Sequence, residues 1–369
     1  MITQFELFSN LLSLNCPLFY VNIALMNERK DNLNGLRILA MLLIYIYHVY
    51  SWRYGSNHVL NYMKIYGGYM GNSVFFCLSG YLISSSCRTM IADRSLSFRS
   101  YIVRRFLRLY PMFLITNLIN LCGTLALHGT EAFDLKRTVF SILMLNGGVI
   151  DAGAPWSVSG WFACVLFFCY VVYFLLARLA KNEKLFIALC GIIFIEGLDI
   201  MLLDTGLPLL HEGLYEGVAP FFAGCFIASA GGKKKLCAIT ALILGTAAVL
   251  LTFLFFRSNR EWIYMQLMNV GCAGPLILMA ALWIKPLSAF LSLPPLAGAG
   301  TLSGMLFFWQ GIYFGFWNEL VLKRMDLKNR GIIFILFFAL CLGAAAVTGF
   351  LWKKFTAPMA ARLKKGNDK

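Results

Sequence analysis

Arg37 and His48 are the residues of this sequence whose types and spacing are best suited to chemistry. They stand eleven positions apart within one apolar stretch. In an α-helix, eleven steps return to within about 20° of the starting face, with a rise of about 16 Å. A guanidinium at the mouth of a helix, with an imidazole about three turns deeper on the same face, is an arrangement for an anion at one end and proton transfer at the other. Ionisable groups within a membrane are expensive and functional by default, and a neutral imidazole there is competent as a general base. The bland alternative is an arginine that snorkels to the interface above a hydrogen-bonded packing histidine.

Two further stretches carry candidate groups. Arg104-Arg105-Phe106-Leu107-Arg108-Leu109-Tyr110-Pro111 places Arg105 and Arg108 one helical turn apart, where they can grip an anionic ligand together. The same stretch also reads as an ordinary basic stop signal contacting lipid phosphate. In Gly71-Asn72-Ser73-Val74-Phe75-Phe76-Cys77-Leu78-Ser79-Gly80-Tyr81, the small pair Ser79-Gly80 permits close approach of a second helix. Glu196 and Asp199, three apart in a later apolar stretch, can bind sugar hydroxyls or pair with another helix. Asn117 and Asn120 share a helix face and read as interhelical hydrogen-bonding groups.

The elements that must position these groups are membrane helices. The 369 residues are 60% hydrophobic and 13% charged, about half the charge of an ordinary soluble domain. Apolar blocks fall at 36–54, 69–87, 109–128, 157–178, 185–203, 213–230, 236–256, 262–284, 297–318 and 331–352. Each suits the roughly 20 residues that a bilayer crossing takes, and they are too long for barrel strands. The expected fold is therefore an all-α polytopic membrane protein of about ten transmembrane helices. A single membrane domain is expected over 32–356, with a leader at 1–31 and a basic tail at 357–369. The leader has no Lys or Arg before Arg29, so it lacks the basic region of a signal peptide, and Met26 is a candidate for the true start.

A net charge of +15 does not indicate nucleic acid, because the basic residues sit in short clusters between apolar blocks and form no basic face. With both termini cytoplasmic, Lys and Arg favour the inner segments over the outer ones by roughly two to one. The basic run from Lys323 to Arg330 goes against that bias. Eleven cysteines are scattered without a Cys-x-x-Cys pair or companion histidines, which argues against a metal site or a disulfide framework.

Taken in order, the three stretches resemble the acyltransferase-3 family of bacterial membrane acyltransferases, which includes O-antigen and exopolysaccharide O-acetylases. The family pattern is Arg or Lys, ten residues, then His; next Phe-Phe-x-x-Ser-Gly; then Arg-x-x-Arg before Tyr-Pro. Here these are Arg37/His48, Phe75-Phe76-Cys77-Leu78-Ser79-Gly80, and Arg105/Arg108 before Tyr110-Pro111. Phe221-Phe222-Ala223-Gly224-Cys225 resembles a weaker family block. There are two departures. The Trp-Ser-Leu-Ser-Val-Glu of many members becomes Trp156-Ser157-Val158-Ser159-Gly160-Trp161, without the glutamate. A late histidine following an aromatic becomes Trp309-Gln310.

The resemblance implies a multi-pass protein of the bacterial inner membrane. It would move a short acyl group, acetyl from acetyl-CoA, to a hydroxyl of a cell-surface carbohydrate. His48 is then the general base or a transient acyl carrier. Arg37, Arg105 and Arg108 hold the donor or orient its carbonyl, and Trp156, Ser159, Glu196 and Gln310 are candidates for the acceptor side. No metal and no permanently bound cofactor is expected. The partners would be acyl-CoA, a carbohydrate and the bilayer. The rival reading is a glycan or lipid-linked-intermediate transporter or flippase, against which stands the lack of an inverted repeat in the sequence.

Overall fold

In a computed structural model, the structure describes residues 31–50, 58–150, 155–203, 213–231, 234–255, 257, 261–317 and 330–365. The leader through residue 30, the basic residues 323–329 and the last four residues of the tail lie outside these. The chain is helical, and among the described residues the only β feature is an isolated bridge between Asn146 and Ile150. The helices, in order, are α1 (Asp31–Tyr50), α2 (His58–Ala92), α3 (Phe98–His128), α4 (Leu135–Ile142), α5 (Gly160–Leu179), α6 (Glu183–Leu203), α7 (Gly213–Ala230), α8 (Lys234–Phe255), α9 (Glu261–Gln266), α10 (Gly274–Trp283), α11 (Lys285–Leu291), α12 (Pro294–Gly300), α13 (Ser303–Trp317) and α14 (Arg330–Lys365). A π-helical turn over Leu267–Ala273 joins α9 to α10 into one rod.

Each apolar block of the sequence falls on a helix. Among the described residues, seven helices are long and apolar enough to cross a bilayer, and a shorter apolar helix covers Ile335–Leu351. α1 and α13 occupy the other two blocks. α2 and α14 run well past the expected blocks, and α3 begins at Phe98 rather than near residue 109. Its first three turns hold Arg99, Arg104, Arg105 and Arg108, which lower local hydropathy while remaining good helix formers. Ser97 caps this start, its side chain accepting from the Ser100 backbone N–H.

The centre of the bundle is α7, 72% of whose spanning window is buried, against 6% for the lipid-facing α8. α7 runs parallel to α2, and the two touch backbone to backbone. A Cβ on Gly80 would strike the Phe221 carbonyl, and one on Gly224 would strike the carbonyl of Cys77. The Phe-Phe-x-x-Ser-Gly stretch and the Phe221–Cys225 block are thus the two faces of one helix contact, the role expected of small residues in membrane helices. α3 lies antiparallel to α5 through an aromatic ladder that includes Tyr101–Tyr173 and Phe106–Phe167. Phe76, Phe162 and Phe307 tie α2, α5 and α13 together at centroid distances of 4.2 and 4.6 Å. All described cysteines except Cys122 are buried, and none is in a disulfide; they pack as small apolar residues.

Candidate active site

α1 and α3 bring three guanidiniums to one place at the end of the bundle where α1 begins. Arg37 faces Arg108, and Tyr170 of α5 lies near both. Arg105 is the next charge beside Arg108. Their partners are neutral. Arg37 Nη1 donates to Asn34 Oδ1 at 2.8 Å. Arg105 Nη2 donates to Cys87 Sγ at 3.3 Å, and its guanidinium stands 5.5 and 5.6 Å from the ring centroids of Tyr101 and Tyr170. Arg105 Nε is buried without a hydrogen-bond partner. Among the described residues, no carboxylate faces any of the three.

Arg37 and Arg105 are half-buried and Arg108 is exposed. Like charges held together without a counter-charge are costly, and an anion bound among them would relieve the cost.

Not every arginine at this end is so placed. Arg88 of α2 donates to the Ala177 carbonyl of α5 at 3.3 Å, and Arg178 of α5 donates to the Ile91 carbonyl of α2 at 3.2 Å. Each helix thus supplies the arginine that satisfies a last-turn carbonyl of the other. Arg88 also packs over the Phe186 ring at 4.4 Å.

His48 sits on α1 about three turns beyond Arg37. Its imidazole meets the Tyr47 ring edge-on at 5.1 Å, with the Ile44 carbonyl one turn back and the Gln310 side chain of α13 beside it. Gln310 is 3% exposed, and neither end of its amide is held at ordinary hydrogen-bond geometry. The position where many relatives in the resemblance carry a histidine is therefore spatially adjacent to His48. Gly311, the next residue, has its Cα against the Ser157 and Ser159 hydroxyls, which lie 3.0 Å apart. The Ser157 backbone N–H donates to Asn117 Oδ1 at 3.1 Å. The structure thus brings His48 and Gln310 together, with Ser159 packed behind Gln310 through Gly311.

The remaining candidates are elsewhere. Trp156 belongs to a lock in the loop before α5: its Nε1–H donates to Thr138 Oγ1 at 3.1 Å, and Arg137 stacks on its ring at 3.9 Å while donating to the Pro155 carbonyl at 3.0 Å. Glu196 and Asp199 are both exposed on α6, outside the His48 cluster. Asn120 donates to the Thr116 carbonyl of its own helix, so of the asparagine pair only Asn117 links to another segment. Tyr170, shared by the arginines, went unnoticed in the sequence; it lies in a uniformly apolar aromatic run with nothing to distinguish it.

Residues 30–352 match the sequence profile of an acyltransferase domain. The chain is 25% identical over 313 residues to the peptidoglycan O-acetyltransferase OatA of Listeria monocytogenes, covering 76% of this chain and 48% of that protein. It is 25% identical over 314 residues to the O-acetyltransferase OatA of Staphylococcus aureus, covering 75% and 49%. The chain thus spans about half the length of these relatives. No solved structure matches it.

Proposed function

The chain belongs to the acyltransferase-3 family, and from that premise we propose that it is a bacterial inner-membrane O-acyltransferase moving acetyl from acetyl-CoA to a hydroxyl of a surface glycan. The observation that carries the reading is the trio of Arg37, Arg105 and Arg108, gathered without a carboxylate among the described residues, with Arg37 on the same face of α1 as an imidazole about three turns deeper. The phosphates of CoA are the anion for the trio, held by charge-assisted hydrogen bonds. The pantetheine arm then lies along α1 and delivers the thioester to His48. The names of the relatives support an acetyl group and a glycan acceptor.

In direct transfer, His48 takes the proton of the acceptor hydroxyl as its oxygen attacks the thioester carbonyl. The tetrahedral intermediate collapses with cleavage of the carbon–sulfur bond, and the imidazolium returns its proton to the departing CoA thiolate. In the covalent variant the neutral imidazole nitrogen attacks the thioester carbonyl, and the carbon–sulfur bond breaks to release CoA thiolate. The acceptor hydroxyl then attacks the acyl-imidazolium, freeing the neutral imidazole while the hydroxyl proton passes to the thiolate. Both routes need the same geometry.

The test is the O-acetyl content of surface glycans from wild-type cells, deletion cells, and deletion cells complemented with the gene. Loss on deletion and return on complementation are expected. Unchanged O-acetylation in the deletion strain would sink the proposal.

A further inference from the structure

At the end of the bundle where α1 begins, a cavity of about 460 Å³ lies on another side of that helix from the arginine trio. Asn32, in its wall, comes five residues before Arg37, a turn of about 140° round the helix axis. Its Nδ2 donates to the Ala281 carbonyl of α10 and to Ser288 Oγ of α11, both at 3.0 Å. The cavity is therefore framed by contacts in which the trio has no part. Tyr81 of α2 forms a second wall. The rest is built from helix ends: Ile227 and Ala228 in the last turn of α7, with Gly231 just beyond, and Leu282 and Trp283 in the last turn of α10. Gly231 and Trp283 are exposed, so the cavity reaches the protein surface.

Neither a carboxylate nor a cation lines this cavity. Last-turn carbonyls lack intrahelical partners, so two converging C-terminal ends offer acceptors to a ligand and disfavour an anion in the interior. Positive charge stands at the rim instead. Lys285 follows Trp283 by two residues and Lys235 follows Gly231 by four, both exposed, hence at most about 7 and 14 Å away along the chain. Cys237 Sγ donates to the Ala230 carbonyl at 3.2 Å, which folds the first turn of α8, with Lys235, back onto the end of α7. Beyond Trp283 the surface is apolar, with Ile284, Phe290 and Leu293 exposed. The positive-inside tendency accounts for the lysines alone. Acceptors inside, cations at the rim and an apolar strip outside together fit an amphiphile with hydrogen-bond donors beyond a phosphate. An ammonium inside would be a charge without a carboxylate, whereas hydroxyls donate to carbonyls at no such cost.

We propose that this cavity binds an anionic phospholipid of the phosphatidylglycerol type. Its glycerol headgroup enters the cavity and donates to the carbonyl ends of α7 and α10. Its phosphate meets Lys235 and Lys285, and its acyl chains lie along Ile284, Phe290 and Leu293. Basic pockets between membrane helices suit such headgroups. The bound lipid ties α1, α2, α7 and α10 together, and its binding needs no acyl transfer.

Delipidated full-length protein in detergent is given phosphatidylglycerol, phosphatidylethanolamine or phosphatidylcholine with the same acyl chains, and is followed by native mass spectrometry and thermal unfolding. Phosphatidylglycerol is expected to stay bound under conditions that strip the other two, and to raise the unfolding temperature by mass action. Lys235→Gln combined with Lys285→Gln, both at exposed positions, should weaken it roughly tenfold, the lower end for lost charge-assisted contacts. Gly231→Trp should abolish binding by filling the mouth. An added Cβ there meets only the Ile227 and Ala228 carbonyls, at 3.4 and 3.5 Å, so the backbone admits it. The lysine pair keeps the test open if the tryptophan variant fails to fold. Equal retention of phosphatidylethanolamine or phosphatidylcholine overturns the site, as does equal retention of phosphatidylglycerol by wild type and both variants. Displacement of the bound lipid by CoA also overturns it, and would hand the cavity to the acyl donor.

Discussion

Two sets of arginines lie at the same end of this bundle, and their surroundings differ. Arg88 and Arg178 clasp α2 and α5, each donating to a terminal carbonyl of the other helix. Arg37, Arg105 and Arg108 face one another and the rings of Tyr101 and Tyr170, with an asparagine and a cysteine as their side-chain hydrogen-bond partners. In the sequence all five are basic residues near helix ends, and the positive-inside tendency accounts for them equally. What separates them is what each guanidinium touches. The clasp is complete within the protein, whereas the trio lacks a counter-charge among the described residues. Arg137 repeats the lesson at the other end, where a stack on Trp156 and a bond to the Pro155 carbonyl engage it in its own loop.

The largest expected effect tests what the trio serves. His48→Ala should lower acetyl transfer by about 10²- to 10⁴-fold, the usual contribution of a general base, and by more if the imidazole carries the acyl group. CoA binding should persist, because the trio is about three turns away. Acetyl transfer is to be measured in membranes matched for protein level. Near-normal transfer would leave His48 a packing residue against Tyr47 and Gln310.

A smaller effect is expected at the trio itself. Changing Arg105 and Arg108 together to Gln should raise the KM for acetyl-CoA roughly 10- to 100-fold, the cost of a lost charge-assisted phosphate contact. Expression should be kept, since both sit on a helix with good intrinsic propensity. An unchanged KM would place Arg105 and Arg108 with the clasp as structural residues. A protein that fails to insert would assign them to the basic stop signal instead.

The helices were legible because each needs an apolar run of bilayer length, and Arg37/His48 was legible because an eleven-residue interval closes a helical face. The start of α3 at Phe98 was not, since a hydropathy window penalises the arginines of its first turns. Gln310 stood out in the sequence only as a departure from a family pattern; its place beside His48 depends on how α13 packs, which no local pattern encodes. Trp156 is an acceptor-side candidate by its place in a motif; its Nε1–H and ring meet Thr138 and Arg137 of the preceding helix, a contact no local pattern encodes.

The finest test compares signs of stability change, measured by thermal unfolding in detergent without ligand. Arg178→Gln removes a donor from the Ile91 carbonyl and should destabilise the protein by about 1 kcal/mol, the usual worth of such a bond, with the KM for acetyl-CoA unchanged. Arg108→Gln removes a like charge from the trio and should leave stability the same or raise it, by no more than on the order of 1 kcal/mol. Added CoA sharpens the contrast. Ligand that binds only the folded state stabilises it by mass action, so CoA should raise the unfolding temperature of Arg178→Gln as it does for wild type and do so far less for Arg108→Gln. If Arg108→Gln were destabilised as much as Arg178→Gln and kept its response to CoA, the two sets would be doing the same structural work. The anion site would then have to be sought away from α3.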